Sequence, residues 1–357
     1  MRHPAAPALV PTLVPACLPS HSSAWSALPG ARSGRQVAAL LACVTLAGAA
    51  HAGPLLERIR AHRAAQAASA SASAPASAIL PGDHTFTLTW QGETRQWLLH
   101  VPTGFQPDRP VAVVYFFHGG GGNMQHSADD KLYGQIGSSD RLGHLAVFPN
   151  GHGRLKSGKL ATWNAGNCCG AARDDGIDDV GFVRAIHAEL GKRLKIDAQK
   201  VFAAGMSNGG MMAHRLACDA SDLFTAITAV AGTDNTRGCQ PSRPVSVLHI
   251  HARNDERVLF NGGAGQPSKQ VTDFTSVADS TSRWVQRNGC QPTPRTVLEA
   301  PGARCVEHEG CQGGSRVRLC VTETGGHSWP GGGKVLGTRG SQALSATTEM
   351  ERFFFAR

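Results

Sequence analysis

Aromatic side chains are scarce in this chain, at 6% of 357 residues with only two tyrosines, and charged residues make up just 17%. No block of Lys and Arg carries the interleaved aromatics that track a phosphate backbone. The formal charge of +9 therefore points away from nucleic acid and toward solubility or attraction to an anionic polymer. No Asp or Glu precedes Glu57, so the charge falls to +6 without Arg2, Arg32 and Arg35. The apolar run from Val37 to Ala49 is too short to span a bilayer, and stable membrane insertion through it is excluded. The glycine run after His118 lacks the Lys and Ser/Thr of a phosphate-binding loop and the acid of a dinucleotide fingerprint, so no nucleotide cofactor is expected.

Ten cysteines are present, two of them (Cys17, Cys43) near the start. The remaining eight, an even number, point to disulfides and an oxidising compartment. Arg32 and Arg35 precede the apolar run, and Ala50-His51-Ala52 supplies small residues at a cleavage point, which is the layout of a secretory signal peptide. Residues 1–52 are accordingly read as a leader and the product as secreted, extracellular or periplasmic. Residues 53–80 include an Ala/Ser-rich tract with too little apolar bulk to offset backbone entropy, a linker. Residues 81–357 are read as the folded domain of the chain.

Within that domain, Thr85–Trp90 alternates and pairs in expectation with 95–101 as an antiparallel hairpin. Val111–Phe117 and Leu145–Pro149 are continuous apolar runs, the pattern of strands buried on both faces. Helical spacing covers 178–194, with Asp178 and Asp179 as dipole-favoured caps in preference to metal ligands. Further strands over 201–204, 223–231, 245–251 and 316–322, with helices over 210–216, 272–288 and 345–355, give an α/β fold. Its central sheet is mostly parallel, with helices on both faces.

The chemistry centres on Gly205-Met206-Ser207-Asn208-Gly209, which links an apolar strand to a helix. A nucleophile elbow needs small residues two before and two after its serine so that strand and helix can pass closely. A serine hydroxyl needs a base, and the base an acid to fix its tautomer. Asp255 and His327 each follow a strand, at the carboxyl ends where open α/β sheets bind ligands. Asp234 is the rival acid, and His249 with His251, joined by His118, is a rival metal arm that lacks a third ligand of settled spacing.

These stretches, with His118-Gly119-Gly120-Gly121-Gly122-Asn123, His249-Ile250-His251, Asp178-Asp179-Val180-Gly181-Phe182 and Gly326-His327-Ser328-Trp329-Pro330-Gly331, resemble the polyhydroxybutyrate depolymerase-like and feruloyl esterase branch of carbohydrate esterase family one. The resemblance spans about 110–335. It implies an α/β-hydrolase fold and a secreted serine carboxylesterase acting on hydroxyalkanoate, feruloyl or acetyl esters, with no cofactor and no metal. It also implies Ser207 as nucleophile, His327 as base, Asp255 as acid, and the backbone N–H groups of Gly120 and Asn208 as oxyanion hole. Ala252 and Phe260 depart from the family's usual Gly and Tyr and put the local shape of the acid loop in doubt.

Trp163 and Trp329 are candidates for an aromatic substrate wall or for buried packing. Cys305 and Cys320 flank a hairpin and could bond across it. The resemblance suggests Cys218 with Cys239 and Cys290 with Cys311, which leaves Cys168 and Cys169 as a vicinal pair or free thiols. Two further functional readings stand beside the esterase: a non-catalytic glycan- or surface-binding protein, and a serine peptidase of the same fold.

Overall fold

The computed structural model describes residues 79–355 apart from 156, 269–271 and 334–338. The expected leader, and the linker up to its last two positions, lie outside the described residues.

Ten strands form a single sheet: β1 (Gly82–Trp90), β2 (Glu93–Val101), β3 (Val111–Phe117), β4 (Leu145–Pro149), β5 (Ile196–Met206), β6 (Ala226–Val230), β7 (Ser246–Ala252), β8 (Arg295–Ala300), β9 (Ala303–His308) and β10 (Val317–Thr322). Their spatial order is β1-β2-β4-β3-β5-β6-β7-β10-β9-β8. The six central strands, β4 to β10 in that order, run parallel. Antiparallel pairs close both ends: β1 with β2, which in turn pairs β4, and β9 with β8 beside β10. The parallel centre matches the sequence reading. The hairpin β8–β9 is an addition to it, because half-exposed edge strands carry little apolar signal.

Eight α-helices pack around the sheet: α1 (Met124–Ser127), α2 (Asp130–Tyr133), α3 (Gln135–Leu142), α4 (Gly170–Asp174), α5 (Asp179–Gly191), α6 (Asn208–Asp219), α7 (Val277–Arg287) and α8 (Ala346–Phe355) among the described residues. Side chains alternate across a strand, so β3 feeds two cores. Val113, Tyr115 and Phe117 join Phe182, Ile186, Leu216 and Trp284 on one face. Val114 and Phe116 join Trp329, Met350 and Phe353 on the other. Each such fully buried large side chain contributes about 1.5–3 kcal/mol.

The helix ends follow local chemistry. Asp178 caps α5 by accepting the Gly181 N–H at 2.8 Å, and Ser276 caps α7 by accepting from Asp279 N–H at 2.9 Å. The cap makes α7 begin several residues later than its apolar spacing suggests. Asp179 does more than favour a dipole, since it pairs with Arg95.

Disulfides join Cys218 to Cys239, Cys290 to Cys311, Cys305 to Cys320 and Cys168 to Cys169. Cys305 and Cys320 stand directly opposite in the β9–β10 register. Among the described residues, no helix is long and apolar enough to cross a membrane.

Candidate active site

Strand β5 ends at Met206 and α6 starts at Asn208, so Ser207 alone makes the turn, with φ 56° and ψ −123°. That backbone is strained for a residue with a Cβ. A hydrogen bond from its N–H to the Val230 carbonyl (2.8 Å) and the two flanking glycines hold it there. A Cβ on Gly209 would lie 2.1 Å from the Phe117 carbonyl oxygen, and one on Gly205 would lie 2.5 Å from the Gly209 backbone. Strand and helix therefore pass at a separation that only glycine permits.

The neighbouring parallel strands β7 and β10 launch the other two groups. Their last paired residues, Ala252 and Thr322, are in register, and Asp255 and His327 follow on the loops just beyond. Asn254 ties those loops together by accepting the Gly326 N–H at 3.0 Å. Nε2 of His327 lies 2.8 Å from Ser207 Oγ, and its Nδ1 lies 2.8 Å from Asp255 Oδ2.

The carboxylate is saturated. Its Oδ1 accepts from the backbone N–H groups of Arg257 (2.8 Å) and Val258 (3.0 Å), and Oδ2 also faces His251 Nε2 at 3.3 Å. Burial alone would raise the pKa of Asp255, but the hydrogen bonds from His251 and His327 outweigh it and hold the carboxyl well below the usual range. An ionised Asp255 takes the Nδ1 proton as its own hydrogen bond, which leaves Nε2 of His327 free to accept from the serine hydroxyl.

Gly119 and Gly120 run past the elbow. A Cβ on Gly119 would lie 3.5 Å from the Ser207 Cβ, and one on Gly120 3.7 Å from the Asn208 Cβ. Neither the Gly120 nor the Asn208 N–H has a protein acceptor among the described residues. The Asn208 side chain is engaged: its Oδ1 accepts from Trp163 N–H (2.7 Å) and its Nδ2 donates to the Trp163 carbonyl (3.0 Å).

Asp234, the rival acid, is committed elsewhere, to Arg287 and Thr236. The rival metal arm is also occupied. His118 donates from Nδ1 to the Gly119 carbonyl (2.8 Å) and accepts the Gly151 N–H at Nε2 (3.0 Å), while His249 and His251 bond to one another at 3.2 Å. The one set within ligand reach among the described residues, Cys305, Cys320 and Glu349, has both sulfurs in a disulfide.

Trp163 and Trp329 do not form a substrate wall. They are 0% and 1% exposed, because each indole N–H finds an internal acceptor, the His118 carbonyl (3.0 Å) and Thr347 Oγ1 (3.0 Å) respectively. Trp163 lies behind the glycine loop, packed edge-on to Phe117. The cavity over Ser207, about 520 Å³, is lined instead by the glycine loop with His126, Tyr133, Met206, Met211, Arg257, Val258 and Phe274. Its polar pair, Tyr133 Oη and His126 Nε2, is 3.5 Å apart. Burial, with Asp129 adding to it, pushes the Tyr133 phenol up to about 12, so it stays a neutral donor. His126 and Tyr133 fall in a stretch where the sequence shows no element, although Tyr133 is one of only two tyrosines. A second, more polar groove lined by Asn167, Arg237, Asp273 and Arg283 meets the cavity at Phe274.

Residues 142–243 match the prolyl oligopeptidase family. The chain is 30% identical over 271 residues to the probable feruloyl esterase C of Aspergillus niger, a match that covers 73% of this chain and 84% of that one. Feruloyl esterase C of Emericella nidulans is 30% identical over 268 residues, with the same coverage. Feruloyl esterase B of Piromyces equi is 29% identical over 249 residues, covering 68% of this chain and 44% of that longer protein. Among solved structures, the acetyl xylan esterase from Aspergillus awamori superposes with a TM-score of 0.51 at 14% identity, covering 76% of this chain and 100% of that one, a likeness of fold.

Proposed function

Because this chain belongs to the feruloyl esterase family of α/β-hydrolases, we propose that it cleaves aromatic acyl esters of the feruloyl type, with Ser207 as nucleophile. The observation that carries this reading is the line of hydrogen bonds Ser207–His327–Asp255 opening onto the 520 Å³ cavity.

Ser207 Oγ attacks the ester carbonyl while His327 Nε2 takes its proton, and Asp255 steadies the imidazolium that results. The carbonyl oxygen, now an alkoxide, faces the unpartnered N–H groups of Gly120 and Asn208, where fixed dipoles stabilise charge as it develops. Collapse of the intermediate passes the proton from His327 to the departing alcohol. Water then repeats the sequence on the acyl-enzyme and frees the acid.

Met206, Met211 and Phe274 offer an apolar slot for a planar acyl group, and Tyr133 with His126 supplies hydrogen-bonding groups at its wall. That combination suits a phenolic acyl chain better than a short hydroxyalkanoate, which is flexible and carries no ring. The four disulfides support a place outside the cytoplasm.

The test compares methyl ferulate, acetylated xylan and hydroxybutyrate oligomers, with Ser207→Ala as control. A preference of about 100-fold for the ferulate, equivalent to about 2.7 kcal/mol, is expected. Equal or better turnover of the oligomers would overturn the acyl assignment, and turnover that survives Ser207→Ala would overturn the nucleophile. Faster cleavage of a peptide amide than of any ester would turn the reading to a peptidase.

A further inference from the structure

Behind the acid lies a row of buried rings that the reaction as written does not use. His249 and His251 are two apart on β7 and so share one face of the sheet. His214 on α6 and Trp284 on α7 pack against the same face, and the four residues are 0–2% exposed. The rings lie near-parallel: His249 and His251 have centroids 5.3 Å apart at 10°, His214 and His249 5.7 Å at 30°, and His214 and Trp284 6.0 Å at 20°.

Their nitrogens meet in sequence. Trp284 Nε1 lies 2.9 Å from His214 Nδ1, His214 Nε2 3.4 Å from His249 Nδ1, and His249 Nε2 3.2 Å from His251 Nδ1. His251 Nε2 then lies 2.9 Å from the Val258 carbonyl and 3.3 Å from Asp255 Oδ2.

The direction of this row follows from its two ends. An indole N–H only donates, so His214 Nδ1 must be an acceptor and the proton of that ring sits on Nε2. His249 Nδ1 then accepts, which puts its proton on Nε2, and the same logic carries the proton of His251 to Nε2. At the far end, a carbonyl and a carboxylate only accept, and they require the same assignment independently. In this assignment every ring is neutral and the N–H groups run one way along the row, the last of them lying between the Val258 carbonyl and Asp255 Oδ2. The surroundings agree. Burial depresses His214 to about 4, outweighing Asp234 and the Gly232 carbonyl beside it, with Arg287 acting in the same direction as burial, and burial next to His251 and His214 holds His249 well below its ordinary value.

We propose that Trp284, His214, His249 and His251 form a positioning relay for the acid: a one-way row of N–H donors whose last member, His251 Nε2–H, is shared between the Val258 carbonyl and Asp255 Oδ2 and so helps orient the carboxylate toward His327. The indole at the far end sets the tautomer of every ring between it and the carboxylate. The inference rests on the esterase reading above, in which Asp255 serves His327.

The experiment uses the full chain and three variants: Trp284→Phe, which keeps the bulk and removes the end donor; His251→Leu, which removes the last donor; and His251→Gln, whose side-chain amide nitrogen can replace Nε2–H. The readouts are kcat and KM on methyl ferulate and the acid limb of the kcat/KM–pH profile. With one donor lost, more of the Asp255 charge faces His327 and stabilises its imidazolium. His251→Leu is expected to raise the acid limb by about half a pH unit and lower kcat about tenfold with KM within about twofold. Trp284→Phe is expected to shift both in the same direction by less, and His251→Gln to restore the limb. Folded variants with an unmoved acid limb overturn the relay, whether kcat is unchanged or falls along with Tm. A parent whose turnover survives Ser207→Ala overturns the esterase reading and the relay together, so the two failures are distinguishable.

Discussion

Arg95 on β2 and Asp179 at the start of α5, 84 positions apart, form an ion pair of 2.8 Å with both side chains nearly sealed from water. The second carboxylate oxygen of Asp179 accepts the Asn164 N–H at 2.8 Å. One buried charge pair thus ties an outer strand, a helix and the loop next to Trp163. Burial pushes the Asp179 carboxyl upward and the guanidinium opposes it. Removing one partner leaves an uncompensated buried charge, so Asp179→Asn and Arg95→Met are each expected to cost about 3–5 kcal/mol. The double variant should recover much of that loss. Urea midpoints of the three variants check this, and a double variant as weak as the sum of the singles would contradict it.

Asp255→Asn tests the tautomer argument. The amide can present its N–H to His327 Nδ1, which pushes the ring proton to Nε2 and removes the acceptor for the serine hydroxyl. A fall in kcat of about 10⁴ with little change in KM is expected. Steady-state kinetics on a short aryl ester would measure it, and a loss under tenfold would argue against Asp255 as the acid.

Ser207 stores strain that the fold does not need. Its φ of 56° is readily accepted by glycine, so Ser207→Gly should abolish turnover and yet raise stability by about 1 kcal/mol. Ser207→Ala should abolish turnover without that gain. Thermal melts of the pair at one pH would show whether the difference exists.

Acid should destabilise the protein earlier than its carboxylates titrate. Burial lowers His118, His144 and His214 to about 4 each, against about 6.5 in the unfolded chain. Between those values the unfolded state binds protons that the folded state refuses, so stability falls as pH drops from 6.5 toward 4 and is flat above. Each group contributes about 3 kcal/mol to that fall. A Tm–pH series from 7.5 to 4.5 should show the decline, and His144→Gln should make it shallower. A Tm that stays level down to pH 5 would refute the assignment.

What could be read in advance was local. Gly205, Ser207 and Gly209 declare their turn because only small residues allow it, and Asp255 and His327 sit where strand ends place ligands. The alternation that feeds two cores from β3 is likewise written in seven consecutive residues. Partners distant along the chain were not legible: nothing near Arg95 names Asp179, and nothing near Trp163 says that its indole N–H will find the His118 carbonyl and bury the ring. The cavity wall was missed for a related reason, since His126 and Tyr133 lie on or beside one-turn helices too short to show a period.

The register between β7 and β10 has a further consequence. Asp255 and His327 depart from the same rung of two adjacent strands, so their mutual distance is set by the sheet and by ties between the two loops, Asn254 to Gly326, the Arg253 N–H to the Thr322 carbonyl and the Arg253–Glu323 ion pair. The residues immediately after Asp255 belong to the same support, because the N–H groups of Arg257 and Val258 hold its Oδ1. The fold is in that sense a socket: two strand ends space the pair, while much of the cavity wall around it, His126, Tyr133, Met211 and Phe274, is supplied by other segments of the chain.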